Sequence, residues 1–190
     1  MNISNLKALS IAISLAALPI SGHASEIGDD GLHKAAWQHE TFKDLREDLA
    51  EANTEGKRLL LTIEQRGCIY CTKMHEEVYP DAAINKMLMD DYFVIQINMF
   101  GDTDVTDFDG TVMAEKDIVA RWGALFTPTL IFLPEEVPEG KTASQAAVAQ
   151  MPGAFGKGTT ESLLIWVKDH GYDNGVPFQK FVAERMNAGN

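Results

Sequence analysis

Basic residues are scarce in this chain. Sixteen lysines and arginines stand against 28 aspartates and glutamates in 190 residues, a formal net charge of −12. Nucleic acid is disfavoured as a partner, because phosphate binding needs a basic face. An anionic membrane surface is disfavoured on the same ground, while solubility and basic partners are favoured. No apolar run reaches the ~20 residues that a spanning helix needs. The longest, Ala8 to Ile20, follows Lys7 and leads into Ser21-Gly22-His23-Ala24. Small residues then fall at the −3 and −1 positions of a cut after Ala24. Residues 1–24 are therefore expected to be a secretory signal peptide, with an uncleaved anchor as the alternative. Cysteine is nearly absent, and no cysteine follows the signal directly, which argues against a lipoprotein anchor. There are no internal repeats. What remains is long enough for one domain with a real core.

The two cysteines that are present stand together, as Cys68-Ile69-Tyr70-Cys71. They follow the apolar run Leu59-Leu60-Leu61-Thr62-Ile63, so they sit where a strand turns into a helix. Two thiols three residues apart on the first helical turn can close and open a small disulfide, a two-electron redox switch. The alternative is a structural disulfide, but a bridge closing so short a loop constrains the unfolded chain little. Helix N–H groups and the helix dipole favour a thiolate at Cys68, while Cys71, one turn in, faces the core.

Around this motif the pattern alternates. Residues 25–36 are polar and Gly/Asp-rich, so 25–40 is expected to be a loose leader, with the folded domain over 41–190. Phe42, Leu45 and Leu49 predict an amphipathic helix over Thr41 to Asn53. Arg58 to Glu64 reads as a buried strand. Cys71, Met74 and Val78 share one face of a helix from Cys68 to Tyr79, broken by Pro80. Asp81 caps a further helix over Ala82 to Met89, and Tyr92 to Met99 is a second buried strand. Phe100 to Thr111, with Asp102, Asp104, Asp107 and Asp109, reads as an acidic loop. A helix over Glu115 to Trp122 ends at Gly123. Strands follow at Thr129 to Leu133 and Ala147 to Met151, joined by a Pro/Gly-rich connection. Thr159 or Thr160 caps a helix to about Asp169, and a last helix covers Phe178 to Met186. Strands alternating with helices imply an α/β sheet covered on both faces. The first two strands are expected parallel, with a right-handed crossover, and the last pair antiparallel.

Strand, Cys-x-x-Cys at a helix start, and Phe126-Thr127-Pro128-Thr129 before a later strand together resemble the thioredoxin-like pattern, from about Thr41 to Asp169. The implied fold has a central mixed sheet of about four to five strands. Glu64-Gln65-Arg66-Gly67 before the motif, Asn98-Met99-Phe100-Gly101-Asp102 and Thr106-Asp107-Phe108-Asp109-Gly110 are more narrowly similar to the periplasmic SoxW-type thioredoxins of bacterial sulfur-oxidation clusters. The resemblance implies a periplasmic thiol–disulfide oxidoreductase that needs no bound cofactor. Cys68 would be the attacking thiol and Cys71 the resolving one. It implies protein disulfides as substrates, in sulfur oxidation or cytochrome maturation. It also implies a membrane electron donor of the thiol-reductant type. A disulfide-introducing oxidase would use the same residues in the opposite direction. Pro128 alone reads as an ordinary trans proline opening an edge strand. The resemblance instead implies a cis bond, with Thr127 and Pro128 beside Cys68, ready to bind an extended substrate segment. Tyr70, between the cysteines, is expected exposed and in reach of substrate.

The chain departs from the family where many thioredoxins carry a buried acid, six residues before the first cysteine. Thr62 stands there. Glu64 points to the same strand face and is a candidate proton acceptor, against the plainer reading of a polar strand end. His75, four residues after Cys71, gives a third soft or borderline donor. That opens an alternative of another class, a copper-carrying module on Cys68, Cys71 and His75. The plainer reading of His75 is a helix-surface or partly buried side chain. Thr72 after Cys71 rules out the haem-attachment motif, and the aspartates of 102–109 lack the EF-hand order of ligands.

Overall fold

The computed structural model of the chain describes residues 26–188. The expected signal peptide lies outside the described residues. Five strands form the central sheet in the order β3-β5-β4-β8-β9. Three of them, β3 (Gln38–His39), β5 (Tyr92–Asn98) and β4 (Arg58–Glu64), run parallel. The other two, β8 (Thr129–Phe132) and β9 (Ala149–Pro152), extend the sheet antiparallel. This is the thioredoxin-like α/β fold expected from the sequence, including the parallel first pair and the antiparallel last pair.

Period-2 alternation in β4 divides the core. Leu59, Leu61 and Ile63 pack on one face with α1 (Leu45–Thr54) and α4 (Glu115–Trp122), through Leu45, Leu49, Ile118 and Trp122. Leu60 packs on the other face, with α3 (Ala82–Asp90) and α6 (Lys157–Lys168), through Ile84, Leu88, Leu163 and Leu164. Thr62 and Glu64 share that second face by the same alternation. The helix carrying the cysteines, α2 (Ile69–Lys73), runs on into a wider π turn at Met74–Val78, closed by the Tyr79 N–H on the Met74 carbonyl at 2.8 Å. Met74 and Val78 belong to the second core. Gly123 ends α4 in the left-handed region, φ 72°, as a glycine C-cap does.

Several local expectations are corrected. The segment read as a loose leader is built: β1 (Glu26–Ile27) and β2 (His33–Lys34) pair antiparallel, and β3 adds an edge to the sheet. Leu32 and Trp37 anchor it, both buried. The acidic loop is a hairpin of β6 (Asp104–Thr106) and β7 (Val112–Ala114), with Val105 and Phe108 buried. Its Asp107 is buried too, because it accepts from Trp122 Nε1, Ala143 N and Phe108 N, each at 2.8 Å. α1 starts at Leu45 behind an Asp44 cap, and α6 starts at Lys157 behind Gly156. A short helix α5 (Ala143–Ala146), with a Thr142/Gln145 capping box, lies within the expected connection. The last helix, α7, covers Phe178–Ala188.

Candidate active site

β4 delivers the chain to the cysteines through Gln65-Arg66-Gly67, where Gly67 takes φ 70°, which a residue with a Cβ rarely adopts. Cys68 is the N-cap of α2, with φ −73° and ψ 104°. Cys68 and Cys71 form a disulfide, with Cα atoms 5.2 Å apart. The Cys71 N–H donates to Cys68 Sγ at 3.0 Å, so the first sulfur is the acceptor at this helix start. Cys68 keeps 7 % of its surface and Cys71 only 1 %.

The lead-in to β8 closes over Cys68. The Thr127–Pro128 peptide bond is cis. Thr127 donates its hydroxyl to Cys68 Sγ at 3.3 Å. Ile69 and Tyr70 on one side, and Leu125 and Phe126 on the other, are exposed. Tyr70 therefore stands in solvent between the two cysteines, as the sequence led us to expect.

Glu64 is fully buried rather than a solvated strand end. Its Oε1 lies 2.9 Å from His75 Nε2, and its Oε2 accepts from Gln96 Nε2 at 3.1 Å. His75 is buried as well, with the His33 and Trp37 rings stacked on it and Tyr79 meeting it edge-on. Burial, and then the Glu64 charge, holds the Tyr79 hydroxyl well above its ordinary range. Burial, and then the neighbouring His75, holds His33 below the usual imidazole value. The copper alternative needs His75 beside the two sulfurs, and its Nε2 is instead committed to Glu64. Among the described residues, no three His, Cys, Asp or Glu side chains are placed to hold a metal ion. His33, Trp37 and Gln96 escaped the sequence reading. Trp37, a large apolar side chain isolated in a polar stretch, was the available signal.

A sequence model of the thioredoxin-like domain matches residues 45–155, more than half of the chain. The chain belongs to the thioredoxin-like domain family. With its Cys-x-x-Cys at the head of α2, this thioredoxin-like protein is a thiol–disulfide oxidoreductase. Among solved structures it is similar to a thioredoxin-fold protein from Helicobacter pylori, at 12% identity and TM-score 0.57, over 70% of this chain and 86% of that one. A thioredoxin from Thermus thermophilus matches at 19% identity and TM-score 0.47, over 70% of this chain and 87% of that one. The oxidised DsbD C-terminal domain of Neisseria meningitidis matches at 12% identity and TM-score 0.42, over 66% and 90%. The Helicobacter likeness shows the shared fold and no more. No curated protein matches the chain by sequence.

Proposed function

We propose that this thioredoxin-like protein is exported to the periplasm and there reduces protein disulfides, with Cys68 attacking and Cys71 resolving. The observation that carries the roles is the asymmetry of the two sulfurs. Cys68 Sγ is the more exposed, caps the helix and takes donors from Cys71 N and Thr127 Oγ1, while Cys71 is shielded beneath it. A thiolate at Cys68 is favoured by those donors and by the start of the helix.

In the reducing direction the Cys68 thiolate attacks one sulfur of a substrate disulfide. A Cys68–substrate bond forms and the other substrate sulfur leaves as a thiolate. Cys71 then loses its proton and attacks Cys68 Sγ, closing the Cys68–Cys71 bond and releasing the second substrate thiolate. The protein gives up two electrons, and the substrate gains them. An extended substrate segment would pair with the Thr127–Pro128 backbone, flanked by the exposed Ile69, Tyr70, Leu125 and Phe126. Glu64 is the candidate acceptor of the Cys71 proton, because it is a buried carboxylate four residues before Cys68, bonded to His75 of the turn that continues α2.

The periplasmic setting rests on the signal-like residues 1–24 and the likeness to SoxW-type thioredoxins. An oxidising compartment requires that electrons be resupplied, so a membrane thiol-reductant donor is the expected partner. Proteins of sulfur oxidation or cytochrome maturation are the expected substrates. Cell fractionation with alkylation trapping tests the whole reading. A periplasmic, largely reduced pool supports it, and a cytoplasmic or fully oxidised pool contradicts it.

A further inference from the structure

A cleft lined in part by the cysteine turn plays no role in the exchange described so far. It holds about 450 Å³, within the range of roughly 300–1,000 Å³ that small-molecule sites occupy. It lies at the carboxyl ends of two parallel strands, where His39 ends β3 and Gln96 and Asn98 close β5. The crevice outside the carboxyl ends of strands is a recurrent ligand site in α/β sheets. One wall is Phe100-Gly101-Asp102, and another is Glu115 at the head of α4. Arg66 completes the lining and stands two residues before Cys68. The Cys68 N–H donates to the Gln65 carbonyl at 3.3 Å, so the chain turns at Arg66. Chain length alone keeps the Arg66 and Cys68 Cα atoms within about 7 Å of each other.

The walls are polar, and most of their charges are matched. Lys43 pairs with Glu115 Oε1, and Lys116 with Asp102. Lys34 serves two carboxylates, Asp30 at 3.0 Å and Glu40 at 3.7 Å, so one negative charge is in excess there. Arg66 supplies the opposite excess. Its guanidinium meets the Asp29 and Asp30 carbonyls at 3.2 Å each and has no carboxylate partner among the described residues. It is held on the turn between β1 and β2 because Gly31 is bare, and a Cβ there would collide with Arg66 Nε. Glu115 is buried, yet its Oε2 accepts no hydrogen bond among the described residues. Gly101 leaves that oxygen its room, since a Cβ at this position would overlap it. The cleft therefore presents a fixed cation at the end joined to Cys68, and open carboxylate oxygens on its other walls.

We propose that this cleft binds a small zwitterion, an α-amino-acid disulfide of the cystine kind, as a second substrate of Cys68. An apolar ligand has nothing to match in such walls, and a ligand of one charge sign leaves either Arg66 or the carboxylates unanswered. The ligand carboxylate pairs with Arg66, whose planar fork suits it, and the ammonium turns to Glu115 Oε2 and Glu40. In an α-amino-acid disulfide the sulfur is three bonds from the carboxylate carbon, so the hold on Arg66 keeps it near the cysteine turn. The chemistry rests on the oxidoreductase reading above. The Cys68 thiolate attacks one ligand sulfur, the ligand S–S bond breaks and one amino-acid thiolate leaves. Cys71 gives up its proton and attacks Cys68 Sγ, releasing the second thiolate, and the proton is balanced by protonation of one product. The protein loses two electrons and the ligand gains them.

Two measurements on the full chain test the assignment. Calorimetric titration of the oxidised protein with cystathionine, a thioether with the same two amino-acid ends and no bond to exchange, reads binding alone. Binding should weaken as salt is raised. Arg66→Gln and Glu40→Gln, both at exposed side chains, should each raise Kd about tenfold, the scale of one lost charged hydrogen bond. The second measurement compares reduction of cystine with reduction of insulin, a protein disulfide, by the reduced chain. The ratio of the two kcat/KM values should fall about tenfold in Arg66→Gln, again the scale of one charged hydrogen bond. No binding of cystathionine by wild type, equal Kd values in wild type and both variants, or an unchanged ratio would each overturn the inference. A wild-type chain that binds cystathionine but reduces neither disulfide would instead overturn the oxidoreductase reading.

Discussion

Thr127 donates its hydroxyl to the sulfur of Cys68 at 3.3 Å, across 59 positions of sequence. The contact ties the lead-in of β8 to the head of α2, so any segment that approaches Cys68 also meets the Thr127 backbone. Cys71 lies almost fully buried, and Cys68 is the more exposed of the two.

The first prediction follows from that layering. Cys71→Ser should trap partner proteins as mixed disulfides on Cys68, because the attack remains and the resolution is gone. Cys68→Ser should trap few. Non-reducing electrophoresis of cells expressing each variant makes the comparison, and equal or reversed trapping would contradict the assignment of roles.

Much of this arrangement was legible in the chain. β4, β5 and β8 are apolar runs bounded by polar residues, and a Cys-x-x-Cys after such a run has few other meanings. The Glu64–His75 couple was only half visible. A Glu ending an apolar strand and a His one turn past a cysteine each have bland explanations, and only the packing joins them. The N-terminal segment does not show in the sequence, because two-residue strands carry no periodicity and its buried anchors, Leu32 and Trp37, are isolated. The burial of Asp107 is hidden in the sequence, because it is one of four aspartates in a polar stretch that reads as solvated. The signal lay in Val105 and Phe108, apolar residues in that acidic stretch that the hairpin buries.

Asp107 yields a stability prediction. Replacing it by Ala strands the Trp122 indole N–H and two backbone N–H groups in the core, and also removes a partner of Arg121. The expected loss is about 3 kcal/mol, typical of a charged acceptor removed from a buried network. Urea unfolding of the oxidised protein measures it, and Asp107→Asn should cost less.

Asp48 gives a pH dependence. It is buried in α1, and its Oδ2 has no hydrogen-bond partner. Burial pushes its carboxyl up to about 6; Thr41 opposes the shift, and the nearby Asp44, Glu51 and Glu47 add to it. The folded value lies above the unfolded one of ~3.9. The contribution to stability is therefore fully present below pH ~4 and is lost as pH rises through about 6. Asp48→Asn should stabilise the protein at pH 7 relative to wild type, and this gain should shrink to nothing below pH ~4. Denaturant midpoints at the two pH values decide it.

The direction of electron flow is the centre of the proposed function. The hydrogen-bond donors on Cys68 Sγ are a backbone N–H and a Thr hydroxyl, both neutral, and no His stands between the cysteines. A thiolate so modestly stabilised makes the disulfide hard to reduce, and the dithiol correspondingly reducing. The direct measurement is the reduction potential of the Cys68–Cys71 pair, by equilibration against glutathione buffers with the thiol state read by alkylation. A value nearer about −270 mV than about −120 mV is predicted. A value above about −150 mV would place the protein with the oxidases and contradict the account.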